Sequence, residues 1–181
     1  MATRYKRQTV KHIEKTEIVE PNANYVLDFQ RFEFKYVMHS SYVDALIPDL
    51  LRYMDYDKHS KGEYYNLYSV YFDTINWDSY YEKIAGIEHR KKYRVRSYYP
   101  ELKDEDSVFI EVKEKEKDII LKRRKDIKFG KLEDFIHNRH HEHDPVLDEW
   151  RFHIMRENLR PKILVAYERL PFVPKGNQNI R

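Results

Sequence analysis

The sequence contains no cysteine, which excludes disulfides and thiolate metal sites. Only four glycines stand against sixteen tyrosines and nine phenylalanines, a balance that favours aromatic-rich strands over flexible loops. No run of residues is long and apolar enough for a signal peptide or a membrane-spanning helix. A cytoplasmic location is therefore the default, and a membrane role would come through a partner. A strong excess of one charge is also missing, since the net charge of the 181 residues is +3. The chain is long enough for one domain with a real core, and its 36% charged and 41% apolar composition is that of a globular protein.

What is present is a local concentration of charge. The segment His89-Arg90-Lys91-Lys92-Tyr93-Arg94-Val95-Arg96-Ser97-Tyr98 reads as a strand. Side chains alternate along a strand, so Arg90, Lys92, Arg94 and Arg96 share one face. Same-face neighbours stand about 6.7 Å apart. At an effective dielectric near 20, two such charges repel by roughly 2.5 kcal/mol. An anion that meets several cations at once would remove that cost.

The rest of the chain supplies further strands with the same character. Residues 1–28 read as a polar arm, and residues 29–181 as one domain. Arg31 to Val37 alternates, with Phe32, Phe34 and Tyr36 on one face and Arg31, Glu33 and Lys35 on the other. A helix follows from Ser40 or Ser41 to about Met54, with Pro48 expected to kink or split it. Strands are expected over Tyr64–Phe72, Glu88–Tyr99, Val108–Lys115, Ile119–Ile127 and Ile163–Arg169. Short helices are expected over Trp77–Ala85 and Leu132–Asn138. A clearer one spans Val146–Leu159, capped by Asp144, with Val146, Leu147, Trp150, Ile154 and Met155 as its buried stripe.

The charged faces of these strands share a pattern. They carry Arg31 and Lys35, the Arg90–Arg96 ladder, Lys113 and Lys115, Lys122 and Arg124, and Arg169, against the carboxylates of Glu33 and Glu111. A generic surface would intersperse both signs. An α+β fold satisfies both faces if a curved or closed antiparallel sheet points its cations into a lumen, with helices packed outside. Such a lumen focuses positive potential and suits a chain of phosphates. Glu33 and Glu111 would then hold a divalent metal that bridges phosphate oxygens, or Glu111 would simply neutralise the neighbours of Lys113.

The ordered set of motifs resembles a known family. It runs Arg31-Phe-Glu-Phe-Lys35-Tyr36, Ser69-Val-Tyr71-Phe72-Asp73-Thr74, Tyr81 with Gly86, and Tyr93-Arg94-Val95-Arg96-Ser-Tyr98. Phe109-Ile-Glu111-Val-Lys113, Lys122-Arg-Arg124, Arg160-Pro161 and Tyr167-Glu-Arg169 complete it. This resembles the VTC domain, the polyphosphate polymerase branch of the triphosphate tunnel metalloenzymes. The resemblance implies an antiparallel tunnel barrel. It also implies transfer of the ATP γ-phosphate to inorganic polyphosphate with Mn²⁺ or Mg²⁺. It places phosphate-contacting cations at Lys35, Arg94, Arg96, Lys113, Lys122 and Arg169, a tunnel tyrosine at Tyr167 and a further arginine at Arg181. Arg94, Arg96 and Lys113 would neutralise the triphosphate, Lys35 and Arg169 would hold the transferring group or acceptor, and Lys122 and Arg124 would guide the chain. The family domain continues past the position of Arg181 with strands that carry its metal glutamate, so an incomplete barrel is expected here.

Three rival readings remain open at this point. One is a non-catalytic polyphosphate or inositol-phosphate binding module. Another is a triphosphatase of the same superfamily. The third is a nucleic-acid module, since basic strands interleaved with tyrosine also serve single-strand binders. His137, His140, His141 and His143 lie in what reads as a helix end and loop, a weak pattern for zinc.

Overall fold

The computed structural model describes residues 34–58, 60–117, 119–139 and 142–176. Its architecture is α+β, built on antiparallel sheet. After a 3-10 turn at Ser40–Tyr42, α1 spans Val43–Tyr53 and leads into the short β1, Met54–Tyr56. Then come β2 (Tyr65–Asp73), α2 (Asp78–Ile84), β3 (His89–Ser97), β4 (Ser107–Glu116) and β5 (Ile119–Lys128). Next are α3 (Leu132–Ile136), α4 (Pro145–Glu157), β6 (Arg160–Arg169) and the short β7 (Phe172–Pro174). Five strands form one antiparallel sheet in the order β5-β4-β3-β2-β6, and β1 pairs with β7 in a second, two-stranded one. Among the described residues the larger sheet does not close into a barrel, and β5 and β6 are its edges.

The alternation read from the sequence decides which face is buried. Val108, Ile110 and Val112 of β4 and Tyr93 and Val95 of β3 turn to the helices, where Leu147, Trp150 and Phe135 complete the core. Trp150 is fully buried at its centre. Phe72 and Tyr93 meet it edge-on, with ring centroids 5.0 and 5.4 Å away. Its indole N–H donates to the backbone carbonyl of Glu111 at 3.2 Å, so the ring's polar atom is satisfied inside the core. Asp144 starts α4 by accepting the backbone N–H groups of Val146 and Leu147, with Pro145 at the first helical position. Asp73 does the same for α2, accepting N–H groups from Thr74, Ser79 and Tyr80.

Several expectations need correction. The alternating segment before α1 does not form a strand over Phe34–Val37, which is irregular and exposed, with Phe34 at 77%. A strand needs a neighbour for its backbone hydrogen bonds, and none of the strands described pairs with this segment. Pro48 does not split α1, which continues through it. Met155 is 68% exposed rather than part of the core. It lies five positions after Trp150, which at 100° per residue is about 140° around the helix. Residues 1–33, with Arg31, Phe32 and Glu33, lie outside the described residues, as does Arg181.

The two α4 side chains give a direct test of this packing. Trp150→Ala should cost about 3–5 kcal/mol of stability, read as a lower urea midpoint. Met155→Ala should change it by less than about 0.5 kcal/mol. Equal costs would mean that the phase of α4 is wrong.

Candidate functional site

Strand register sets the cations side by side. Directly opposed residues share a face, and pairing carries the ladder of β3 across β4 to β5. One row holds Lys92, Lys113 and Lys122. The next holds Arg94, Glu111 and Arg124, and joins Tyr71 of β2. The third holds Arg96, Phe109 and Asp126, and joins Ser69. On the other side of the lysines, Arg90 stands opposite Lys115. Like charges directly opposed across strands are destabilising, and the lysine row opposes three.

The two arginines are fixed from behind. Arg94 donates through Nε to Glu111 Oε2 at 2.6 Å and through Nη1 to the Tyr71 hydroxyl at 2.9 Å. Arg96, only 6% exposed, donates through Nε to Ser69 Oγ at 3.0 Å. Both are gripped through Nε, and Arg94 through Nη1 as well, which leaves Nη2 of Arg94 and the terminal nitrogens of Arg96 for a ligand. Tyr71 and Ser69 are anchors that the reading of single strands missed. The one clue in the sequence is a serine set among the aromatic and aliphatic residues Leu67 to Phe72.

Glu111 is 1% exposed. Its Oε1 lies 2.8 Å from Lys122 Nζ, outside directed hydrogen-bonding geometry but in close ion-pair contact. Burial works to raise its pKa, yet Lys122 and then Arg94 outweigh this and hold the carboxyl below its ordinary 4.5. Lys92 and Lys113 have no ion pair among the described residues. Burial, followed by repulsion from Lys83, Arg90 and Lys113, lowers the Lys92 pKa. Two more acids share this face than the sequence reading counted. Asp126 is exposed, and Asp73 gives its carboxylate to the backbone of α2.

The opposite face of the same strands treats its cations differently. Lys91 meets Glu149 of α4 at 2.7 Å, and Arg123 pairs with Glu149 and with Glu114. Lys125 pairs with Glu142 at 2.9 Å. The fold thus neutralises the cations under the helices with acids and sends the rest to the other face.

The remaining expected site residues are spread more widely. Tyr167 and Arg169 lie on β6 opposite Leu67 and Tyr65, on the cation face but near its far end, and both are exposed. Arg124 stacks on Phe109, 4.8 Å from the ring centroid. Lys35 lies in the irregular stretch before α1, outside the sheet. Of the metal candidates, Glu33 is outside the described residues, and both oxygens of Glu111 already face cations. No group of three or more His, Asp or Glu among the described residues is arranged to hold a metal, so the residues described do not fit a divalent cation. Of the four histidines between 137 and 143, His140 and His141 lie outside the described residues. His137 ends α3, with its ring Nδ1 2.9 Å from the Glu133 carbonyl. A cavity of about 370 Å³ lies on the helix face, lined by Val70, Val95, Leu102, Ile136 and Leu164, and has no part in the cation cluster.

The family model for the VTC domain matches residues 30–181. The chain belongs to the VTC domain family. Membership places this VTC domain in polyphosphate-related biochemistry. A search of curated proteins finds no match. Among the described residues of this VTC domain, no helix is long and apolar enough to cross a membrane.

The ion pairs predict how stability varies with pH. Burial also works to raise the Glu149 pKa, and hydrogen bonds from Lys91 and Arg123 override it, so Glu149 too sits below 4.5. A carboxyl lowered on folding contributes stability that is full above its unfolded value and is lost as pH falls through its folded value. The melting temperature should therefore decline as pH drops below 4.5. A flat profile from pH 5 down to about 3 would contradict both ion-pair clusters.

Proposed function

We propose that this VTC domain binds triphosphate and polyphosphate along the cation face of its sheet and transfers the γ-phosphate of ATP to a growing polyphosphate chain. The observation that carries the reading is the row of Lys92, Lys113 and Lys122 beside two arginines, each held through Nε. That arrangement lowers its energy when a multivalent anion lies across it. Consecutive phosphates present a line of charge that several cations can meet at once.

Phosphoryl transfer draws mainly on positioning and on charge stabilisation. Nη2 of Arg94 and the terminal nitrogens of Arg96, with Lys113, neutralise the triphosphate. An oxygen of the acceptor's terminal phosphate attacks the γ-phosphorus, and the bond to the bridging oxygen breaks. That oxygen leaves on ADP. The chain needs no nucleophilic side chain, because the acceptor supplies the nucleophile. Lys122 and Arg124 then guide the polyphosphate, while Lys35 and Arg169 hold the transferring group or the acceptor end. Mn²⁺ or Mg²⁺ belongs to the proposal as an added ion, with none of the described residues assigned to hold it.

A second reading is binding without turnover by the same cations. The two readings share a first test. Arg94→Ala/Arg96→Ala should abolish tripolyphosphate binding in calorimetry, and affinity that survives at low salt sinks both. Tripolyphosphate at about 100 times its dissociation constant should add about 2.7 kcal/mol of stability to the natural chain. It should also outcompete an oligonucleotide, and the reverse order would favour nucleic-acid binding. Incubation with ATP and Mn²⁺ separates the enzymes: lengthening polyphosphate marks a polymerase, and released phosphate alone marks a triphosphatase.

A further inference from the structure

We infer that Glu111 is a positioning residue that acts as the built-in counter-anion of the phosphate site. The inference rests on the anion-binding reading above and assigns this carboxylate a role other than metal ligation. Glu111 is buried, and its two oxygens contact one cation from each neighbouring strand, Arg94 at 2.6 Å and Lys122 at 2.8 Å. No other acid in the described part of this face makes such a contact, since Asp126 is exposed and Asp73 serves α2. Its main chain is held as well, because the Glu111 carbonyl accepts the Trp150 indole N–H. The carboxylate therefore stands on a fixed support.

Two consequences follow from this geometry. In the empty site, Glu111 offsets part of the repulsion among cations that would otherwise face one another unbalanced. It also holds Arg94 at Nε, while Tyr71 takes Nη1, so the guanidinium is aimed before a ligand arrives and Nη2 stays available. An incoming phosphate adds to this pairing instead of displacing it. The charge that Glu111 supplies to the empty protein is thus of the same kind that the ligand supplies to the filled one. A buried carboxylate that served packing alone would not be interchangeable with a ligand in this way.

Charge compensation tests the assignment. Glu111→Gln keeps the size of the side chain and removes its charge, and Glu111→Gln/Lys122→Gln removes one cation as well. Without added anion, the single variant should melt below the natural chain, and the double variant should melt above the single one. A double variant that melts below the single one overturns the inference, because a packing role makes the two losses add. Tripolyphosphate should then raise the melting temperature of Glu111→Gln by more than it raises that of the natural chain. Where the natural chain responds, an equal rise in both also overturns it. If Glu111→Gln does not fold alone, refolding into tripolyphosphate decides the matter: recovery supports the inference and failure to recover overturns it. A natural chain that shows no response to tripolyphosphate removes the proposed function, while the anion-free comparison of single with double variant still judges Glu111.

Discussion

Glu111 belongs to both halves of the molecule at once. Its carbonyl accepts a hydrogen bond from Trp150 at the centre of the helix-covered core, and its side chain pairs with Arg94 and Lys122 on the other face. The position of β4 relative to the helices and the position of the cations relative to one another are therefore one constraint. The core residues Ile110 and Val112 flank it in sequence and lock the strand from the helix side. A shift of β4 by one residue would bury cations under α4 and expose the core to solvent.

The same strands show how a chain of small net charge builds a strongly charged surface. Lys91, Arg123 and Lys125 are as basic as their neighbours, yet each meets a glutamate on the helix side. Lys92, Lys113 and Arg96 make no ion pair among the described residues. What separates the two groups is only the alternation of a strand. The helices bring acids to one face, and on the other Glu111 pairs with Arg94 and Lys122.

Much of this was legible in the sequence because a period of two is visible without knowledge of neighbours. Arg90, Lys92, Arg94 and Arg96 could be placed on one face, and the β4–β5 hairpin could be read from its flanking strands. Register could not be read in the same way, so the row of Lys92, Lys113 and Lys122 emerged only from the pairing. Nor could Glu149 be seen as the partner of Lys91, since the two meet through the packing of α4. Ser69 was hidden for a related reason: its importance comes from standing opposite Arg96 and not from its own segment. Phe34–Val37 shows the converse. The alternation is clear, but a strand is completed by what lies beside it, and that information is not in the segment.

The sorting of paired and unpaired cations also gives the molecule an electrical direction. With a net charge of only +3, its field far away is weak, while close to the β3–β4–β5 face it is concentrated. An anion diffusing past is drawn mainly from that side, within about 10 Å at ordinary ionic strength. Encounter is then selective in orientation before any contact forms. The sorting that concentrates charge on one face of β3 thus also sets the direction from which an anion approaches.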